Sequence, residues 1–247
     1  MRRGRIRASC RQCPAKVRCP VGPEGERTSK LPDPVKTVRV ASRGESLYRP
    51  GESATAFFMV RSGLLKRHGY TAMNHERVYG FYTTAGVVGL EALTRGQYTH
   101  FVQALDTTHV CVIDAAGASG LADNRPMIHR RLFQLAHDEW AAAERNALTI
   151  TSLSATQRVA AFLGETSWQM AELGFSRSAF QLKMPRRDIA RYLGLTVETV
   201  CRAMSRLVEQ GLVEQGPYHV RLPDPDRLEA FAWSASDPTG LAQGAAG

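Results

Sequence analysis

The chain has 247 residues, enough for two compact domains, and its 43% apolar and 22% charged residues are those of a folded globular protein rather than a disordered or membrane-embedded one. No run approaches the ~18 apolar residues that a membrane-spanning helix needs, and no apolar stretch follows the basic Met1-Arg2-Arg3-Gly4-Arg5, so neither anchor nor secretory signal is read and a cytoplasmic location is expected. The net charge of +9 favours a polyanionic partner without naming one.

The first feature in chain order is a CxxCxxxxxC run, Cys10, Cys13 and Cys19, wrapped in Arg2, Arg3, Arg5, Arg7, Arg11, Lys16 and Arg18. Five cysteines in a reducing compartment argue against a disulfide framework, so a cluster of them points to metal or redox chemistry. Pro20, Pro23, Pro32 and Pro34, with Gly22 and Gly25, then read as an irregular connector. Residues 1–34 are therefore taken as a cysteine-rich segment.

From Val35 to about Asp114 the chain alternates in short β-rich pieces separated by Gly44, Gly51, Gly63, Gly86 and Gly96, which predicts a small antiparallel sandwich or roll, its domain taken as 35–124. The predicted strands centre on Val38–Val40, Ser46–Tyr48, Phe57–Val60, Leu64–Lys66, Arg77–Phe81, Phe101–Leu105 and His109–Ile113. After Pro126 the period becomes helical. Ile128, Leu132, Leu135, Trp140, Ala143, Ala147 and Ile150 are read as one stripe on a helix over 125–152, which pairs with a two-fold mate or else lies on its own domain.

Over 153–231, Ser154–Leu173 reads as an amphipathic helix and Phe180–Met184 as a short strand. Pro185–Leu193 makes a helix, Gly194-Leu195 turns, and Thr196 caps a second helix running to about Gly211. Val197, Val200, Met204, Leu207 and Val208 are assigned to its inner face, which leaves Glu198, Cys201, Arg202 and Ser205 together on the outer one. These suit a DNA major groove: a guanidinium donates twice to guanine O6 and N7, and a carboxylate accepts from the cytosine amine. Leu212–Leu222 reads as a β-hairpin wing, and 232–247, rich in Ala, Gly and Ser, as a disordered tail.

Thiolates are soft ligands that suit zinc or an iron–sulfur cluster, and Cys111 on a distant strand could complete an all-thiolate shell around a 4Fe-4S cluster with Cys10, Cys13 and Cys19. Zinc is the alternative metal, although the second CxxC of a zinc ribbon is missing.

On CRQCPAKVRC, FVQALDTTHVCVID and PRRDIARYLGLTVETVCRAMSRL, the chain resembles the FNR group of the CRP/FNR transcription regulators from Cys10 to about Phe231. The resemblance implies an α+β protein with an N-terminal cyclic-nucleotide-binding-type β-roll, a long dimerisation helix and a C-terminal winged helix-turn-helix. It implies Cys10, Cys13, Cys19 and Cys111 as ligands of an oxygen-labile 4Fe-4S cluster. It further implies a homodimer on a two-fold symmetric operator of TTGAT-like half-sites, read by Glu198, Cys201 and Arg202, with RNA polymerase as partner. The chain departs from the family in three places. Cys201 stands where the reading triplet has serine, Pro23, Pro32 and Pro34 disfavour the helix usual after the third ligand, and Ala143 replaces an acidic residue of the dimer helix.

A cyclic-nucleotide receptor would cradle the phosphate with a Gly-Glu pair and a downstream Arg-Ser. Here Gly89-Leu90-Glu91 is followed by Tyr98-Thr99-His100, so the cation is missing. Haem ligation would draw on His68, His75, His100 or His109. No nucleophile–base pair or phosphate-cradling glycine loop marks an enzyme.

Overall fold

The computed structural model describes Cys13, Ala15, Cys19 and residues 35–124, 126–216 and 219–234. Cys10, the proline-rich connector and residues 235–247 of the expected tail lie outside the described residues. The chain divides into two compact units, Met1–Ala142 and Ala143–Gly247.

Among the described residues the first unit carries eight strands: β1 (Val35–Ala41), β2 (Ser46–Tyr48), β3 (Ala56–Ser62), β4 (Leu65–Tyr70), β5 (Glu76–Tyr82), β6 (Val87–Val88), β7 (Phe101–Ala104) and β8 (Thr108–Asp114). They pair antiparallel into two four-stranded sheets, β1-β8-β3-β6 and β2-β7-β4-β5. One apolar core joins them. Ala41, Phe58, Val60, Val88 and Val110 from the first sheet pack with Leu47, Tyr48, Leu65, Tyr82, Val102 and Ala104 from the second. Strand alternation selects most of this set, since every second residue of a strand faces the same way; Leu47 and Tyr48 are consecutive, and the register of β2 shifts between Ser46 and Tyr48. The predicted strands all appear; β6 was not foreseen, because two residues carry no period.

Helix α1 (Ala115–Asn124) falls within the expected roll domain of 35–124 but after its predicted strands, in a stretch to which the sequence reading assigns no element. Its small residues show no helical stripe, but Asp114 Oδ2 accepts from Gly117 N at 3.0 Å and Ala118 is fully buried. Helix α2 (Pro126–Ser152) matches the expected span. Its stripe does not hold together as one face. Ile128 and Leu135 are buried and Ile128 packs with Leu132, whereas Trp140 is 70% exposed, and Ala143 and Ala147 are exposed with it. The step of five residues from Leu135 to Trp140 turns about 140° around the helix at 3.6 residues per turn, and so divides the set between two faces. The outer one runs Phe133, Ala136, Trp140, Ala143, Ala147, all exposed.

The second unit holds α3 (Ala155–Glu172), β9 (Ala179–Gln181), α4 (Arg186–Leu193), α5 (Val197–Glu209), β10 (Glu214–Gln215), β11 (His219–Arg221) and α6 (Pro225–Ala232). Ser154 and Gln157 form a capping box that starts α3 immediately after α2. β9 stops at Gln181, short of the predicted Met184, and pairs with His219, Val220 and Arg221 of β11. α6 was also missed, although Asp224 caps it and Pro225 begins it in the usual manner; Leu228 and Ala232 are fully buried. Among the described residues no helix is long and apolar enough to cross a membrane.

Candidate functional site

Helices α4 and α5 form a tight helix-turn-helix. Gly194 ends α4 with φ 66° and ψ 38°, a left-handed conformation that glycine adopts without steric cost. Two residues later Thr196 caps α5, its hydroxyl accepting from Thr199 N at 3.2 Å. α5 buries Val200, Ala203, Met204 and Leu207. The assignment of Val197 and Val208 to that inner face is corrected: they are 40% and 43% exposed. They sit where the buried stripe meets the rim, and Ala203 takes the inner place instead.

Glu198, Cys201, Arg202 and Ser205 are all exposed on one side of α5. Hydrogen bonds from its own backbone amide and from Thr196 hold the Glu198 carboxyl below the usual carboxylate range, so it is an acceptor at neutral pH. β9, β10 and β11 make the expected wing, widened from a hairpin to three strands. Arg221 donates to Glu214 at 2.8 Å across it.

The four predicted metal ligands fall in the first unit or outside the described residues. Cys111 lies on β8, in register with Val38 of β1 and Met59 of β3. Its neighbours Val110 and Val112 pack into the roll's core, so Cys111 faces the opposite way, as do Phe57, Met59 and Ile113. That second face is covered as completely as the first: Cys111 is 5% exposed, Met59 1%, Phe57 and Ile113 0%. Cys13 and Cys19 are buried too, and Arg131 of α2 donates to the Cys19 carbonyl at 3.2 Å. Among the described residues no three Cys, His, Asp or Glu side chains are grouped to hold a metal. The thiols present are the soft donors an iron–sulfur cluster takes, and their burial is what protects one from water. Cys201, exposed on α5 in the second unit, is separate from them.

The roll interior is occupied by its own side chains. Tyr48 and Tyr98 stack with centroids 3.8 Å apart, and Gly89 (φ 84°) lies so close that a Cβ there would meet both rings at 3.2 and 3.4 Å. Thr99 donates to Glu91 at 2.8 Å, and His100 Nδ1 is 3.6 Å from the same oxygen. Burial alone would raise the Glu91 carboxyl, but hydrogen bonds from His100, its own backbone and Thr99 prevail and lower it to about 2. A cyclic phosphate would enter beside this carboxylate with two aromatic rings in its way, so the residues present do not fit a nucleotide. Three of the histidines considered for haem are engaged elsewhere, and His75 is exposed. His68 stacks on Phe101 beside Glu76, His100 Nδ1 meets the Thr99 hydroxyl at 2.8 Å, and His109 meets Ser62 at 3.2 Å.

Family models bear directly on this architecture. The cyclic nucleotide-binding domain matches residues 38–125 and the Crp-like helix-turn-helix domain residues 157–231. The transcriptional activator protein FnrA of Stutzerimonas stutzeri is 34% identical over 236 residues, 95% of this chain and 97% of that one. The chain belongs to the CRP/FNR family of transcription regulators. Another CRP/FNR relative, the fumarate and nitrate reduction regulatory protein of Salmonella typhimurium, is 29% identical over 224 residues, 90% of each chain. The solved structure of FixK2 from Bradyrhizobium japonicum superposes with a TM-score of 0.74 at 27% identity, over 81% of this chain and 98% of that one. This CRP/FNR member is thus a DNA-binding transcription regulator rather than an enzyme.

Proposed function

We propose that the regulator senses oxygen through a 4Fe-4S cluster held by Cys10, Cys13, Cys19 and Cys111, binding its operator as a dimer when oxygen is low and releasing it when the cluster is damaged. What supports the reading is that Cys111 faces away from the roll's core yet is 5% exposed, with Cys13 and Cys19 buried in the same unit. Bound, such a cluster supplies an oxygen-labile cross-link between thiolates that are distant in sequence. The protein side of the switch is Cys19, whose carbonyl Arg131 ties to the first half of α2. The outer stripe Phe133, Ala136, Trp140, Ala143 and Ala147 has the spacing of a coiled-coil seam and pairs α2 with its mate. Pairing brings two copies of α5 to half-sites about one DNA turn apart on a symmetric operator, where RNA polymerase is the further partner. The reading carries a cytoplasmic location.

Purified without oxygen, the protein is expected to be coloured and to hold about four iron and four sulfide per protomer. A colourless protein that binds its operator equally well in air would defeat the proposal, as would stoichiometric zinc in place of iron.

The base-reading assignment has its own test. Arg202→Ala is expected to cost roughly 1–3 kcal/mol on the specific site in a titration while leaving iron content unchanged. An equal loss on random duplex would reduce Arg202 to a phosphate contact.

A further inference from the structure

We infer that Arg158 is a positioning residue for DNA reading: one guanidinium fastens the turn of the helix-turn-helix to the joint between α2 and α3. Arg158 Nε donates to the carbonyl of Leu153 at 2.9 Å, and Nη1 donates to the carbonyl of Leu193 at 3.3 Å. Leu153 is the residue directly after α2, and Leu193 is the last residue of α4. Both oxygens therefore sit at helix C-termini, where unsatisfied carbonyls concentrate partial negative charge and a cation is favoured. A planar fork with five donors can serve two such carbonyls at once; the point charge of lysine cannot hold both in fixed directions.

The backbone beneath this side chain is itself fixed. Arg158 N donates to Ser154 O at 2.9 Å, within the turn closed by the Ser154–Gln157 capping box. From the clamped Leu193 carbonyl it is three residues, through left-handed Gly194, to the Thr196 cap of α5. The direction of α5 relative to the end of α2 is thus set by a short, stiff path with Arg158 at its base. Every residue on it belongs to the second unit. The consequence for function rests on the proposed pairing through α2: if two copies join there, the clamp fixes the separation at which their two α5 helices meet half-sites. Arg158 touches no base in this account and acts through Leu193 and the turn.

The test uses the full chain, purified without oxygen, with Arg158→Met and Arg158→Lys. The probes are a symmetric duplex of two TTGAT half-sites, the same duplex with one base pair inserted between them, and a single half-site. For Arg158→Met, affinity for the symmetric duplex is expected to fall about tenfold, half-site affinity by less than about threefold, and the preference for the native spacing to flatten. Arg158→Lys should fall between. A variant that ranks the three probes as the parent does would overturn the clamp, and so would equal losses on duplex and half-site, which mark a merely structural role. Amide hydrogen exchange across 193–197 reads the clamp without any dimer: about tenfold faster exchange is expected in Arg158→Met, and unchanged exchange overturns it. A parent protein indifferent to spacing would instead overturn the α2 pairing, and the exchange measurement would still decide the clamp.

Discussion

Serine in place of Cys111 is expected to strip the protein of its iron and to leave operator binding without oxygen no tighter than the parent shows in air, a loss of about a hundredfold or more toward the non-specific level. The substitution is nearly isosteric, so β8 keeps its register with Val38 and Met59. A buried hydroxyl costs about 1–3 kcal/mol if it finds no partner, which circular dichroism and a thermal scan would reveal separately from iron loss. Cys201→Ser is the matched control, because Cys201 is exposed on α5 in the other unit; it should retain full iron. Iron content and oxygen response unchanged in Cys111→Ser would remove the basis for a four-thiolate site.

Truncating Glu139 to alanine is the second large effect, expected to destabilise the roll's hold on α2 by about 2–3 kcal/mol. Arg67 of β4 donates to Glu139 at 2.7 Å and Tyr82 of β5 donates to the same oxygen at 2.9 Å. Burial works against the Arg67 charge, and the neighbouring Tyr82 and Glu139 more than offset it. Burial likewise pushes the Tyr82 hydroxyl well above its ordinary range, so it remains a donor. Without Glu139, a guanidinium left 21% exposed and a buried hydroxyl both lose their acceptor. Glu139→Gln keeps an oxygen for Tyr82 and should lose only about 1 kcal/mol. Urea unfolding of the two variants, followed at Trp140 one residue away, separates these outcomes. An alanine variant as stable as the parent would show that the apolar contacts of Ile128, Leu132 and Leu135 suffice to hold α2.

Local pattern carried most of this far. The strands were legible because their alternation and punctuating glycines survive without knowledge of partners, and the helix-turn-helix because Gly194 and Thr196 state the turn and the cap in adjacent residues. Elements without such signals were not legible. α1 is built from alanine, glycine and serine and owes its place to an aspartate cap and a buried Ala118. β9 reads as five alternating residues but is only three long, and no local signal marks its end.

The candidate sites divide in the same way. Which side chains share the outer face of α5 follows from helical period alone, which groups Glu198, Cys201, Arg202 and Ser205, while the rim positions Val197 and Val208 are not separable from the core by period. The cysteine spacing is the ground of the proposed cluster. Local periodicity determined the shared face of α5, because it acts over one or two turns of chain. The tertiary structure alone decided that both faces of β8 are buried, that α2 turns Leu135 inward and Trp140 outward, and that Arg67 meets Glu139 and Arg158 meets Leu193. Those contacts join residues 35 and 72 positions apart. Their energy is gained only after the intervening chain has been ordered, and no local pattern encodes it.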